Sequence, residues 1–389
     1  MVPTAYHVSA KNLQNPCPKN LKTALDPTNP DSNIWHWPYQ EEYKGIYDCA
    51  VYDVISQQEY NSYQRQGVTA IPTMCILTIK NKDSHPDRAK SRIVVLGNQD
   101  KKYYKKTDKY APVLTQNQLR LLTALVISKQ CSLRQGGVKN AFCNGILPPD
   151  ETVICIPPKD CPFSTPNTYW KLKKALYGLA KSPLHWFQSI EKVFHSMGLK
   201  KHPNSPCLFC GTLIPNHPPI FMGLYVDDFC YFSTDDVVET HFRNTLDTHF
   251  TVTWDSELEW FLGIHFHWHH DDYGSITKCH LSQEAFVQDL LARTRLLGCN
   301  TSPTATPFRH SLPVDTITDG LDLTDPSLYS DQQTKYYQEI MGCLNWLSIS
   351  TCPDITSIVA LLAAHQSAPL QGHLNASLHV VRYLTSTMD

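Results

Sequence analysis

Leu224-Tyr225-Val226-Asp227-Asp228-Phe229 is the stretch on which the reading of this chain turns. Two adjacent carboxylates follow an apolar run, Ile220 to Val226, and precede a second one, Phe229 to Phe232. Apolar–acidic–apolar over so few residues predicts a β-hairpin with the acids at its tip. Like charges held side by side repel unless a cation neutralises them. An oxygen-seeking Mg²⁺ is the natural partner, and metals held in pairs by such acids serve in-line phosphoryl transfer. The plain alternative for the dipeptide alone is an ordinary Asp-Asp turn.

The segments around it narrow the choice. Upstream stand Gly137-Val138-Lys139-Asn140-Ala141-Phe142-Cys143-Asn144-Gly145, then Leu172-Lys173-Lys174-Ala175-Leu176-Tyr177-Gly178-Leu179 with Ser182-Pro183 and Trp186. Downstream come Phe261-Leu262-Gly263-Ile264, Met341-Gly342-Cys343-Leu344 and Pro353-Asp354-Ile355. In order and spacing, from about Ile34 to the last residue, this set resembles the reverse transcriptases of copia-type retrotransposons. The resemblance implies an α+β fold. Its parts would be a right-hand polymerase of fingers, palm and thumb, an antiparallel palm sheet backed by helices, and C-terminal connection helices.

One position departs from the family. Its first block opens with an aspartate that shares the metals with the hairpin acid, and here that position is Gly137, preceded by Gly136. Leu133-Arg134-Gln135 and Val138 to Phe142 fit around it without a gap, and a single base change converts aspartate to glycine. Asp150, beyond Gly145 and Pro148-Pro149, is too far along the chain to substitute. Two readings follow: an RNA-directed DNA polymerase domain impaired in this copy, or a non-catalytic nucleic-acid-binding or structural remnant of the same fold. A metal-dependent nuclease has only the acid pair in its favour.

The resemblance also assigns roles. Asp227 and Asp228 would be the catalytic acids, binding Mg²⁺ or Mn²⁺ with the Val138 carbonyl. Lys90 and Arg92 would meet the triphosphate of a deoxynucleotide. Val138, Asn140, Ala141, Phe142, Tyr177 and Gly178 would line its pocket. Phe142 matches the ring that leaves no room for a 2′-hydroxyl, the group that separates RNA from DNA; unaided by the family, it reads as core. Gly178 would let the backbone approach the nucleotide. Phe261, Leu262 and Gly263 would grip the primer of an RNA or DNA template. The stretch Leu179-Ala180-Lys181-Ser182-Pro183 departs from the family's Lys-Gln pair, and Cys352 stands where the family has arginine.

Composition is that of a folded protein: 389 residues, 42% hydrophobic and 18% charged, with a net charge of −2. That balance gives no global attraction for nucleic acid, although polymerase channels need only local positive charge. Lys101-Lys102-Tyr103-Tyr104-Lys105-Lys106 and the group Lys171, Lys173, Lys174, Lys181 could face phosphates, or simply be solvated faces. No signal peptide or membrane-length apolar stretch is read, so a reduced, cytoplasmic setting is expected, within the virus-like particle of the parent element. Most of the 14 cysteines should then be unbridged and buried. Cys207 and Cys210 look like half a zinc knuckle, but a strand from Pro206 to Thr212 would point them to opposite faces. His265, His267 and His269 alternate and share a face, suited to exposed strand positions, template backbone contact or metal.

Along the chain, residues 1–33 are polar and proline-rich and read as a disordered linker. Residues 34–280 would hold fingers and palm, 281–330 the thumb, and 331–389 connection helices leading to an absent ribonuclease H domain. The reading expects the family's protease and integrase to be missing as well, as in a fragmentary retroelement gene. An opening helix is expected from Trp35 to Tyr60, with Tyr43, Ile46, Tyr47 and Ala50 on one face. Strands are expected around Cys75–Ile79 and Arg92–Leu96. Helices are expected over Leu119–Ser128, Leu184–Met197, Tyr336–Leu347, Ile355–His365 and Ala376–Leu384, and one after Ser282 as N-cap.

Overall fold

The computed structural model describes residues 17–82, 85–159, 161, 165–306 and 331–386. It is a mixed helix-and-sheet chain that divides into two compact units. The first is Met1–Leu114 with Gln135–Asp255, and the second Thr115–Arg134 with Ser256–Asp389. In chain order the strands are β1 (Tyr52–Ser56), β2 (Ile71–Lys82), β3 (His85–Val95), β4 (Arg134–Val138), β5 (Ile154–Ile156), β6 (Thr168–Leu172) and β7 (Lys200–His202). These are followed by β8 (Ser205–Gly211), β9 (Ile220–Tyr225), β10 (Asp228–Phe232), β11 (Val252–Asp255), β12 (Trp260–Phe261), β13 (Ile264–His270) and β14 (Ile276–Ser282).

The first unit holds two sheets. One runs β1-β6-β5-β2-β3, antiparallel except where β2 runs parallel to β5. The other runs β11-β4-β10-β9-β8-β7, and its pairs β11/β4, β10/β9, β9/β8 and β8/β7 are antiparallel. Two helices cover the second sheet. Ser182–Ser196 starts with Pro183 in its first turn, where a missing N–H costs nothing, and buries Trp186, Phe187, Ile190 and Phe194. Asp236–Asp247 is capped by Asp235, whose carboxylate accepts from Val237 N–H, and buries Val238, Phe242 and Leu246. Phe194 meets Phe209 of β8 edge-on at 5.1 Å. Phe242 meets Phe229 of β10 at 6.1 Å and 90°.

The N-terminal expectations need correcting. The helix runs only from Ser32 to Asp48. Ala50 takes a positive φ of 49°, and the β-branched Val51, Val54 and Ile55 then favour extended chain. β1 pairs with Thr168–Leu172 instead. A capping box between Ser56 and Glu59 starts a new helix, Gln57–Arg65. The inward stripe of the first helix is Trp35, Tyr39 and Ile46, while Tyr47 is 68% exposed. The linker expectation also fails from Cys17 onward. Asn20 caps a short helix, Leu21–Leu25, whose Leu21 and Ala24 join the core. Residues 1–16 lie outside the described residues.

Among the described residues, the second unit is built on three antiparallel strands, β12-β13-β14, and five α-helices. Gln116–Lys129 opens with a Thr115–Gln118 capping box, contains the expected Leu119–Ser128 helix and belongs with this unit. Glu284–Arg293 starts two residues after Ser282, whose hydroxyl accepts from Glu284 N–H at 3.2 Å. Asp331–Ser350, Thr356–Ala363 and Gln371–Leu384 contain the three expected C-terminal stretches within a residue or two. They share one apolar core with Val287, Leu290 and Leu291. Residues 307–330, expected to complete a thumb, lie outside the described residues. Among the described residues no disulfide forms, six of the cysteines are buried, and no helix is long and apolar enough to cross a membrane.

Candidate functional site

β9 and β10 pair with Asp228 opposite Tyr225, leaving Val226-Asp227 as a two-residue turn. The acids stand at the tip of the hairpin. Val226 takes φ 55°, a left-handed conformation that a β-branched residue adopts only when its surroundings impose it. Two hydrogen bonds impose it here. The Trp186 indole N–H donates to the Val226 carbonyl at 2.6 Å. The Val138 N–H donates to the Asp227 carbonyl at 2.8 Å, which ties the turn to β4. Asp227 is half-buried and Asp228 exposed.

The glycines of β4 show which side of the sheet the acids use. A Cβ on Gly136 would fall 2.5 Å from Phe229 Cζ and 3.1 Å from Trp254 Cε3. One on Gly137 would fall 2.9 Å from Asp228 Oδ1. Alternation along the strand therefore aims position 137 at the hairpin acids and position 136 at the core. A carboxylate at 137 would complete a three-acid cluster with Asp227 and Asp228; glycine leaves that donor set one acid short. Among the described residues no group of three or more His, Cys, Asp or Glu side chains is arranged to hold a metal.

After Val138 the chain turns at Asn140, which has φ 51°, into a short 3₁₀ helix, Ala141–Asn144. The Asn140 amide packs where a Cβ on Gly45 would stand, 2.4 Å from Nδ2. Ala141 and Cys143 are buried, so the half-buried Phe142 is the ring offered outward. It meets Tyr177 edge-on at 4.8 Å. The Arg92 guanidinium lies over the Tyr177 ring, 4.1 Å from its centroid. Burial pushes the Tyr177 hydroxyl well above its usual range, with Arg92 opposing. Lys90 and Arg92 alternate on β3 and share a face, while Ser91 between them and Ile93 beyond are buried on the other.

Two expectations change. The close approach made by Gly178 (φ 91°) is to β3: a Cβ there would fall 2.0 Å from the Val95 carbonyl oxygen, and Val95 N–H donates to the Tyr177 carbonyl. Packing explains this glycine without a ligand. The second lysine group is engaged within the protein. Lys171 donates to the Tyr63 hydroxyl, Lys173 pairs with Asp53, Lys174 donates to the Cys49 carbonyl and Lys181 pairs with Glu151.

Glu42 escaped the sequence reading. It follows Tyr39 by three residues and precedes Ile46 by four, on the inward stripe of its helix. Its carboxylate accepts from Ile93 N–H on the free edge of β3 at 3.0 Å. Burial raises its pKa, while Arg92 and Lys90 pull it down. That spacing of an acid on a buried face was the available signal.

In the second unit, Phe261 and Ile264 pair across a two-residue turn, Leu262 (φ 54°) and Gly263 (φ 73°). Positive φ at both central residues is the hairpin turn that follows strand twist. Phe261 is buried. In the first unit, Cys207 shares the buried face of β8 with Phe209, and Cys210 lies on the other. The two thiols of the pair project apart, as the strand period implied.

The sequence profile of the family described as reverse transcriptase (RNA-dependent DNA polymerase) matches residues 57–309. The chain is 31% identical over 324 residues to the retrovirus-related Pol polyprotein from transposon RE2 of Arabidopsis thaliana, covering 83% of this chain and 21% of that one. It is 25% identical over 372 residues to the Pol polyprotein from transposon TNT 1-94 of Nicotiana tabacum, covering 95% and 26%. It thus spans about a fifth to a quarter of these relatives' length. A solved structure of the foamy viral protease–reverse transcriptase with double-stranded DNA aligns with a TM-score of 0.45 at 16% identity, covering 91% of this chain and 48% of that one.

Proposed function

The chain belongs to the reverse transcriptase (RNA-dependent DNA polymerase) family, and we propose that it is the polymerase domain of a retrotransposon Pol polyprotein whose catalysis is impaired by Gly137. In this reading the hand is distributed as fingers and palm over residues 34–280, thumb over 281–330 and connection over 331–389. The primer–template is RNA or DNA, the substrates are deoxynucleoside triphosphates, and the work is done in the cytoplasm within the parent element's particle. The acid hairpin pinned to β4 beside a glycine aimed at it is the observation that carries the proposal.

Each residue has a task it can perform by its own chemistry. Arg92, held over Tyr177, and Lys90 on the same strand face offer positive charge to a triphosphate. Phe142, braced edge-on by Tyr177, sets a wall against a 2′-hydroxyl. Asp227 and Asp228 are the acids left to face a divalent cation. Family members use Mg²⁺ or Mn²⁺ to neutralise charge at the reacting phosphoryl oxygens. Here the donor set does not fit that task, because Gly137 brings no carboxylate. The Leu262-Gly263 turn would contact the primer.

Primer extension on an RNA template with Mg²⁺ or Mn²⁺ tests the proposal, comparing this chain with Gly137→Asp. A lost ligand worth on the order of 3–5 kcal/mol lowers the rate by roughly 10²–10⁴, so the variant should gain by that factor. Equal activity in both would overturn the role given to position 137. A chain that binds primer–template but stays inactive in both forms would favour the remnant reading.

A further inference from the structure

β12, β13 and β14 bury one face and leave most of the other to solvent. Phe261, Ile264 and Phe266 face inward. The register places Trp260 opposite His265, His265 opposite Ser282, His267 opposite His280 and His269 opposite Lys278, all on the outer face. The rings are in contact both across and along the strands. Trp260 lies flat on His265, with centroids 4.2 Å apart and planes 2° from parallel. His265 meets His267 at 3.7 Å, and His267 faces His280 at 5.9 Å and 28°. Trp260, His267, His269, Lys278 and His280 are exposed. No position of this face carries a carboxylate. The acids around it stand at its margins: Glu259, whose Oε1 is 3.7 Å from His265 Nε2, Glu284 in the first turn of the following helix, and Asp271 and Asp272 in the β13–β14 turn. Asp271 is occupied by the N–H groups of Tyr273 and Ser275.

Scattered surface histidines would need no explanation; a ladder in register over three strands, with an amine at one end and an indole at the other, is a different object. Uncharged, it is a strip of flat rings. Protonated, it becomes a row of double N–H donors at the spacing of a β-ladder, with no acid among them. We propose that this face binds the sugar-phosphate backbone of a nucleic acid strand and that protonation of its imidazoles strengthens the hold. The proposal rests on the polymerase reading for the identity of the partner, and it adds a pH-graded grip along the strands behind the Leu262-Gly263 turn. His265 needs more acid than a free imidazole, because burial and the His267 charge hold its pKa down while Glu259 opposes them. The sign is fixed: affinity rises as pH falls through the imidazole range.

Fluorescence anisotropy of a labelled primer–template with the full chain at constant ionic strength tests this, from about pH 8 down to about pH 5.5. Binding should tighten at least about tenfold over that interval, and most of the gain should vanish in the double variant His267→Gln/His280→Gln. A double variant removing two exposed histidines of the first unit, His36→Gln/His241→Gln, should keep the gain and so control for net charge. Circular dichroism at both pH values verifies that each variant is folded. If the ladder variant keeps the full pH dependence, or the control loses as much, this proposal falls while the polymerase reading stands. If the chain binds no primer–template at any pH, both fall.

Discussion

Gly136 and Gly137 stand side by side on β4 and face opposite sides of one sheet, and the two sides have fared differently. Behind Gly136 the packing is dense. Phe229 is fully buried and meets Trp254 edge-on at 5.5 Å, and Tyr231 and Phe242 close the cluster. Arg243 donates to the Tyr231 hydroxyl and lies 5.5 Å from the centre of the Trp254 ring. In front of Gly137 stand two acids, with no third gathered to them among the described residues. Fold and chemistry are thus separated by the thickness of a strand. An acid can vanish from the front without loosening the back, since removing one charge from an acidic cluster also removes repulsion.

The largest effect expected from breaking this contrast is on the packed side. Phe229→Ala should cost about 3–5 kcal/mol of unfolding free energy, measured by denaturant titration. Next comes the glycine itself. Gly136→Ala must push a methyl into the Phe229 ring and should cost about 1–3 kcal/mol. Gly137→Ala meets only the end of the exposed Asp228 side chain and should be neutral or stabilising by about 0.5–1 kcal/mol, because glycine is costly in a strand. Equal losses at 136 and 137 would erase the distinction between the faces. Smaller than the loss at Gly136 is that of Trp186→Phe, which removes the indole donor from the Val226 carbonyl and should cost about 0.5–1.5 kcal/mol.

The smallest effect concerns Glu42, a charge on the buried side of its helix. Its pKa is raised in the folded state, chiefly by burial, so the folded protein holds that proton more tightly than the unfolded chain. The penalty is absent below the ordinary carboxylate range and grows as pH rises through it toward the raised folded value. Glu42→Gln keeps an acceptor for Ile93 N–H and should raise the melting temperature slightly at neutral pH. Melting curves of the two proteins should converge in acid.

The hairpin was legible because its signal is local: apolar runs, two acids, and a turn too short for anything else. The C-terminal helices were legible for a similar reason, their apolar periods being long. What escaped depended on partners distant in sequence. Nothing near Ala50 announces that Tyr52–Ser56 will pair with Thr168–Leu172. Leu21–Leu25 is too short for a period to register, and only its docking into the core makes it a helix. Gly178 was read as room for a ligand because the strand it packs against, Val95, lies some eighty residues earlier. The strain at Val226 likewise comes from Trp186 and β4, not from its own neighbours. At position 137 the missing residue type was visible in the sequence, but the direction it faces required the register.

Calorimetric titration of Mn²⁺ into this chain and into Gly137→Asp, with melting curves on the same samples, tests the separation of fold from chemistry most directly. The account predicts at least about tenfold tighter binding in the variant with a melting temperature close to that of the parent. Equal affinity in the two proteins, or a variant that binds no better and melts far lower, would contradict it.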